Sequence, residues 1–262
     1  MLVLLPPSES KAVPPKRGTA VAVDQLSFPE LTDLRKQVLE ALTEVSARPD
    51  ALERLGVGAS LTDEVARNLT LHTAPARPAH QVYTGVLYDA LDWATLSPEA
   101  RRRGNRRVLV ISALWGVLRP GDKVPSYRLS MDGELPTLGP LARHWRGELP
   151  GVLAAAAGKR GVIVDCRSGP YVAAAPVSSF PADVAARTVA VRVLRETAGK
   201  RSVVSHLAKH TRGEVTRFLL EQDADPRSVP ELLPVIAGRW PSELTEPARP
   251  GAPWTLDVIL RD

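Results

Sequence analysis

The sequence predicts a single α/β domain over residues 1–262, with a mixed central sheet, flanking helices, a basic cleft and a helix-hairpin-helix-like excursion. The first supporting observation is a set of short apolar runs, rich in Val, Ile and Leu and bounded by turn residues, which indicates buried strands. The second is the helical spacing of apolar residues between those runs. The third is the lack of any linker-like stretch, so we expect the runs to share one sheet.

The composition is that of a globular protein. With 44% hydrophobic and 24% charged residues, it excludes a disordered or fibrous chain. Cys166 is the single cysteine, which excludes an intramolecular disulfide and a multi-cysteine zinc site. The chain has no stretch of 18 apolar residues, and its first residues reach Pro6 without a basic segment. These features predict a cytoplasmic protein with no signal peptide and no membrane partner.

The first strand is predicted at residues 2–5, where an apolar run ends at two prolines. Residues 6–11 then form a polar loop, and such strand-end loops commonly contact ligands in α/β proteins. Residues 31–47 carry apolar residues at helical spacing, and Ser27 is a candidate helix cap. Helical patterns continue through an excursion at about residues 48–105.

Further strands are predicted in the second half of the chain. Residues 106–113 and 162–166 are continuous apolar runs of the kind found in a sheet that is buried on both faces. Residues 189–194 and 201–207 are predicted to pair as a β-hairpin. A helix is predicted from residue 208 to residue 220. A last strand is predicted at residues 254–260.

A glycine-rich turn lies within the helical excursion, at Gly56, Val57 and Gly58. Two short helical patterns flank it, as in a helix-hairpin-helix, in which the hairpin amides and a helix N-terminus receive a DNA phosphate. Glycine accepts positive φ and lets another backbone approach closely. A plain glycine-rich turn between two packed helices is the alternative interpretation.

The net charge is +5 and the pI is about 9.6, a balance that favours acidic partners such as nucleic acids, phosphates or nucleotides. Arginine far outnumbers lysine in a chain dominated by Ala, Arg, Val and Leu. Such a bias is also typical of a GC-rich genome, which is an alternative explanation of the high pI.

Cationic and hydroxyl side chains cluster in loops that follow the apolar runs. If these runs form one sheet, the loops converge at one edge, where arginine and lysine can bind carboxylate or phosphate. The sequence therefore predicts a cleft for an anionic ligand, although each arginine alone is more simply a solvated surface residue. The predicted cleft residues are Ser8, Lys11, Arg119, Tyr127, Arg128, Ser168, Tyr171, Lys209 and Arg212.

No metal or cofactor is predicted. His206 and His210 have the spacing of a metal pair on a helix, but the local pattern places His206 in a strand and His210 at a turn.

Cys166 ends a buried strand and is interpreted as inert core. Asp165 beside it is either a polar strand-end residue or a base. The glycine-rich segments match neither a Walker loop nor a dinucleotide fingerprint.

Several segments together resemble the YaaA family of peroxide stress resistance proteins. The start of the chain through Pro-Pro-Ser-Glu-Ser-Lys is similar to the family's N-terminus, and Val82 to Gly85 resembles its V-Y-T-G segment. Residues 112–120 resemble its S-G-L-Y-G-V-L-R-P block, with Trp115 in place of tyrosine. Residues 126–131 resemble P-Y-R-L-x-M, and residues 208–213 resemble A-K-x-x-R-G. These blocks follow the family's order up to about residue 221, and the tail from about 223 to 262 diverges.

The resemblance implies one α/β domain with a positively charged cleft and a helix-hairpin-helix-like element. It also implies a cytoplasmic protein that binds DNA and limits iron-driven damage during peroxide stress. We expect this binding to be largely independent of sequence, because a hairpin of the Gly56-Val57-Gly58 type offers backbone amides to phosphates. An alternative from a different class is an enzyme acting on a phosphorylated or carboxylated small molecule in the cleft, with a lysine or tyrosine as acid or base.

Overall fold

The computed structural model describes residues 1–261, except for the side chain of Ser205. Its strands are β1 (Leu2–Leu5), β2 (Arg77–Pro78), β3 (Val108–Ser112), β4 (Gly116–Leu118), β5 (Lys123–Val124), β6 (Glu134–Leu135), β7 (Gly139–Pro140), β8 (Ile163–Asp165), β9 (Thr188–Thr197), β10 (Lys200–Val203), β11 (Ser242–Thr245) and β12 (Trp254–Arg261). Its helices are α1 (Thr32–Ser46), α2 (Ala51–Arg54), α3 (Thr62–Arg67), α4 (Ala79–Val82), α5 (Val86–Leu91), α6 (Pro98–Arg107), α7 (Leu141–Trp145), α8 (Leu149–Ala157), α9 (Gly169–Ala174), α10 (Ala182–Ala185), α11 (Ser205–Glu221) and α12 (Val229–Ala237).

The main strands form one mixed sheet in the order β11-β12-β9-β8-β1-β3-β4, with β10 also paired to β9. Neighbours from β12 to β3 pair in parallel, whereas β4, β10 and β11 pair antiparallel. The prediction of one α/β domain with a mixed central sheet is therefore confirmed. Val3, Leu109, Val164 and Val203, taken from separate apolar runs, all lie in this sheet.

The central strands have no exposed face. Every residue of β1, β3 and β8 is buried, and apart from Ser112 and Asp165 at strand ends all are apolar. A parallel strand covered on both faces needs a continuous apolar run rather than an alternating one. That is why these strands stand out in the sequence.

The chain leaves β1 and β8 in opposite directions. From β1 it continues to β3 on one side of the sheet, and from β8 it continues to β9 on the other. In an open parallel sheet, neighbouring strands whose connections diverge in this way leave a crevice beyond their carboxyl ends, and ligands bind there. The loops after Leu5 and Asp165 border this crevice.

The β9–β10 hairpin is present, but its second strand is shorter than predicted. β10 ends at Val203, which pairs with Leu194, and α11 begins at Ser205. His206 and His210 therefore lie one helical turn apart in α11, and the prediction of a strand and a turn at these positions was wrong. The Val203–Val204 pair favours a strand locally, but the helix beyond it packs on α5.

The helical excursion supplies α5, and a glycine sets its distance from α11. A Cβ built on Gly213 would lie 2.1 Å from the carbonyl oxygen of Leu87 and 2.9 Å from the Cβ of Ala90. Only a residue without a side chain allows this approach. Within residues 1–261, no helix is long and apolar enough to cross a membrane.

We predict that Gly213→Ala lowers the free energy of unfolding by about 1–3 kcal/mol, because the added methyl must push α11 away from α5. Gly151→Ala in α8 is the matched control, since a Cβ there meets nothing within 4 Å. The control should be neutral or stabilising by up to about 1 kcal/mol, because alanine is the better helix former. Urea denaturation of both variants checks this, and equal stabilities would contradict the close approach.

Candidate functional site

A cavity of about 430 Å³ opens at the crevice between the loops that follow β1 and β8. The first loop contributes residues 6–10 and the second contributes Ser168 and Tyr171. Residues 84–88 close one side, and the start of α11 with the end of β10 closes another. The lining side chains and backbone come from Pro6, Pro7, Ser8, Glu9, Ser10, Thr84, Gly85, Val86, Leu87, Tyr88, Ser168, Tyr171, Val203, Val204, Ala208, Lys209 and Arg212.

The helices α5, α9 and α11 all begin at this cavity. Gly85, Ser168 and Val204 occupy the positions just before their first turns, and each of the three lines the cavity. The first N–H groups of a helix have no partner within the helix and carry partial positive charge. Gly85 has φ +90°, which glycine adopts readily. The backbone alone thus favours an anion here.

Two cations of the cavity wall have no acidic partner. Neither Lys209 nor Arg212 forms an ion pair with any carboxylate in residues 1–261. Arg212 donates through Nε and Nη2 to the carbonyl oxygen of Val191, at 3.3 and 3.0 Å, which fixes its guanidinium. The acid in the wall, Glu9, is paired with Arg128 at 3.2 Å. The unpaired charge that faces the cavity is therefore positive.

Lys11 shapes the first loop rather than lining the cavity. Its Nζ donates to the carbonyl oxygens of Ser8 and Glu9, at 2.9 and 3.3 Å, and lies 4.3 Å from the centre of the Tyr127 ring. The Ser8 hydroxyl accepts a hydrogen bond from the Thr84 amide at 3.0 Å. Burial lowers the pKa of Lys11 to about 8, although nearby Glu9 acts in the opposite direction.

Tyrosine hydroxyls form a buried cluster next to Lys11. The Tyr127 hydroxyl lies 2.7 Å from the Ser112 Oγ at the carboxyl end of β3, and 3.1 Å from the Tyr83 hydroxyl. Burial raises the pKa of Tyr83 to about 12 and that of Tyr127 well above its usual range. These phenols stay protonated and act as fixed hydrogen-bonding groups that hold the ring beneath Lys11.

The structure brings together most, but not all, of the nine predicted cleft residues. Those that line the cavity are Ser8, Ser168, Tyr171, Lys209 and Arg212. Arg128 lies next to the cavity through its ion pair with Glu9, while Lys11 and Tyr127 support the loop.

Arg119 lies at the opposite edge of the sheet. Its Nη1 donates to the carbonyl oxygens of Asn105 and Arg106, at 3.1 and 2.8 Å, at the end of α6. The reason is the direction of β4, which runs antiparallel to β3. A loop after an antiparallel strand emerges at the edge where its parallel neighbours begin. The expectation that Arg119 shares the cleft did not allow for this reversal.

Residues 84–87 and Val203–Val204 were not predicted to form part of the cleft. They contribute mainly backbone and apolar contacts, so a search for charged and hydroxyl side chains passes over them. The V-Y-T-G block contains Thr84 and Gly85 and was the one available signal. Arg167 was also missed, and it forms a buried ion pair with Asp165 at 2.7 Å. That contact shows Asp165 to be a paired strand-end residue.

The glycine turn of the excursion connects short helices. Only one of its two glycines has the positive φ that favours glycine in such a hairpin. Gly56 has φ +62°, whereas Gly58 is extended, with φ −77°. Gly56 and Val57 border a separate open cavity of about 660 Å³ whose other walls include Glu9, Glu53, Asp132 and Glu134. Arg54 and Arg128 there are paired with acids. Carboxylates therefore surround this turn.

Within residues 1–261, no group of three His, Cys, Asp or Glu side chains is placed to hold a metal ion. His210 Nδ1 lies 3.3 Å from Glu214 one turn along α11. Cys166 is fully buried, and burial raises the pKa of its thiol to about 12.

We predict that Lys11 titrates near pH 8 in the folded protein, as measured by ¹³C NMR of its Cε signal. Loss of the signal in Lys11→Arg identifies it, and Lys159→Arg is the control that leaves it in place. Because the folded pKa lies below the unfolded value of 10.5, the unfolded state binds more protons between these values. Stability should therefore rise from pH 8 to pH 10.5 more steeply in the wild type than in Lys11→Met. Identical pH slopes would contradict burial of the charge.

Comparison with known proteins places the chain in a family. The family model described as peroxide stress protein YaaA matches residues 1–234. A UPF0246 protein of Streptomyces coelicolor is 46% identical, covering 100% of this chain and 99% of its own. A UPF0246 protein of Corynebacterium efficiens is 37% identical over 99% and 100% of the two chains, and one of Cereibacter sphaeroides is 30% identical over 86% and 88%. This chain belongs to the peroxide stress protein YaaA family.

Proposed function

We propose that this chain is a cytoplasmic protein of the peroxide stress response that binds DNA through its phosphates, largely without reading base sequence, and so limits iron-driven damage. The membership in a family of peroxide stress proteins supports the stress role. The observation that carries the DNA-binding step is the pair of unpaired cations, Lys209 and Arg212, at a cavity where helices begin.

Phosphate is the ligand group that this arrangement favours. A guanidinium fixed on a backbone carbonyl can present its remaining N–H groups to two phosphate oxygens, and a lysine adds a mobile point charge. Helix N-termini add N–H donors that suit the same anion. None of these groups reads a base edge, so contacts of this kind position a nucleic acid without specifying its sequence.

The exposed start of α11 extends the same charge outward. Lys209 is exposed in the first turns of this helix, and Lys200 is exposed on the neighbouring strand β10. A duplex needs several phosphate contacts along one surface, and Lys200, Lys209 and Arg212 are the cations that would make them. We place the main DNA contact here. The turn at Gly56, Val57 and Gly58 is a secondary candidate, because the acids around it repel phosphate.

A second candidate function is an enzyme acting on a phosphorylated or carboxylated small molecule. It is favoured by the cavity itself, which at about 430 Å³ falls within the usual range for small-molecule sites. Lys11, whose ammonium binds the backbone of the loop that forms one wall, has a pKa of about 8. A general acid or base works best when its pKa lies near the operating pH.

We predict salt-dependent DNA binding that weakens in Lys209→Gln. Two unrelated labelled duplexes, titrated at two salt concentrations, should bind alike, with a log–log salt slope of about −0.9 for each phosphate contacted. The variant should bind both duplexes more weakly and lose about one unit of slope. Lys159→Gln is the matched control, since Lys159 lies just before β8, at the opposite edge of the sheet. Binding that is indifferent to salt, or lost for one sequence only, would contradict the proposal.

Protection from damage is measured in the same series. Supercoiled plasmid treated with ferrous iron and peroxide should be nicked less in the presence of wild-type protein than in that of Lys209→Gln. If the protein binds DNA strongly but does not reduce nicking, the proposal that DNA binding limits iron-driven damage is contradicted.

We predict that the hairpin contributes little to DNA binding. Gly56→Val strains a turn with positive φ, whereas Gly58→Val does not, because Gly58 is extended and a Cβ there meets nothing within 4 Å. Both folded variants should bind DNA within about twofold of wild type, since acids surround the turn. A large loss in Gly56→Val alone would return the hairpin to the interface.

A further inference from the structure

A second cavity, of about 320 Å³, lies beside the first at the same edge of the sheet. It is enclosed by α9, by β9 and by the turn at residues 249–253. Arg212 lines both cavities, and its guanidinium is bound to the carbonyl oxygen of Val191, a residue that lines the second cavity. The two cavities are therefore neighbouring compartments that share one cation.

The free edge of Arg212 points to a shared ligand. Its Nε and Nη2 are held by the Val191 carbonyl, and its Nη1 donates to no group in residues 1–261. The edge formed by Nη1 and Nη2 thus remains available for a bidentate contact with an anion. Lys209 lines the first cavity and Arg249 lines the second, so each cavity has a further cation besides Arg212.

The second cavity is cationic like the first. Arg249 is exposed on its turn and pairs with no carboxylate in residues 1–261. Asp165 is the acid in the wall, and the buried Arg167 neutralises it through two contacts, Nε to Oδ1 at 2.9 Å and Nη2 to Oδ2 at 2.7 Å. The available charge therefore comes from Arg212 and Arg249.

The turn that carries Arg249 is held in place by its contacts with the rest of the fold. Gly251 has φ +78° and packs closely on Ser178, since a Cβ at this glycine would lie 3.6 Å from the Ser178 Cα. The turn joins β11 to β12, and β12 pairs with β9 along its whole length. Residues 249–253 lie beyond the part matched by the family model, which ends at residue 234.

We propose that the second cavity is an anion subsite, and that the two cavities together bind a small molecule carrying a diphosphate. One phosphate lies between Lys209 and Arg212, and the other between Arg212 and Arg249. Because Arg212 is common to both positions, the two anionic groups are close neighbours, as in a diphosphate. The apolar wall of the second cavity, which includes Val172, Val177 and Val191, receives the part of the molecule beyond the second phosphate.

This inference rests on the proposed function only in requiring that Lys209 and Arg212 bind phosphate. The test is calorimetric titration of the full chain with inorganic pyrophosphate and, separately, with inorganic phosphate. Wild type should bind pyrophosphate more tightly. Arg249→Gln should weaken pyrophosphate binding by about five- to tenfold and leave phosphate binding within about twofold, since it removes one charged donor from the second position only.

Two further variants make the result decisive. Lys209→Gln should weaken the binding of both probes, and Arg160→Gln should weaken neither, because Arg160 lies just before β8 at the opposite edge of the sheet. Equal effects of Arg249→Gln on both probes, or no effect on either, overturn the diphosphate subsite. If Lys209→Gln still weakens binding in that case, phosphate binding in the first cavity stands. If Lys209→Gln also leaves the binding of both probes unchanged, phosphate binding in the first cavity is contradicted as well. Circular dichroism confirms that each variant is folded.

Discussion

The parallel pairing of β1 with both β3 and β8 is the constraint on which the rest of the molecule depends. It covers both edges of β1, and elements packed on the sheet bury both faces, so the strand tolerates only apolar residues along Leu2–Leu5. It also places the ends of β1 and β8 side by side while their connections diverge. The cavity is the space left by that divergence, so its position follows from the order of the strands.

The charge of the cleft follows from the same topology. Helix α9 follows β8 directly and begins at the carboxyl edge. Strand β9 runs beyond that edge, so its hairpin with β10 brings the start of α11 back to it, and the first N–H groups of both helices gather where the loops open. Lys209 and Arg212 on α11 pair with no acid within residues 1–261, while Glu9 and Asp165 are each paired with an arginine. The helix N–H groups and the two cationic side chains thus both contribute positive potential at the carboxyl edge of the sheet.

The sequence predicts the strands well because burial on both faces leaves an unmistakable apolar run, as in β1 and β3. It predicts the cleft residues less well, because the edge at which a loop emerges depends on strand direction. Arg119 follows an apolar run like the others, yet β4 is antiparallel and carries it to the far edge. His206 was misplaced because α11 is stabilised by its packing on α5, which no local pattern reveals.

Cys166 has a consequence for a protein of oxidative stress. Peroxide attacks the thiolate rather than the thiol. Burial raises the pKa of this thiol to about 12, so the group is almost entirely the unreactive thiol at neutral pH. The chain's two thioethers, those of Met1 and Met131, also belong to buried side chains. Packing therefore shields these sulfur atoms from an oxidant in solution.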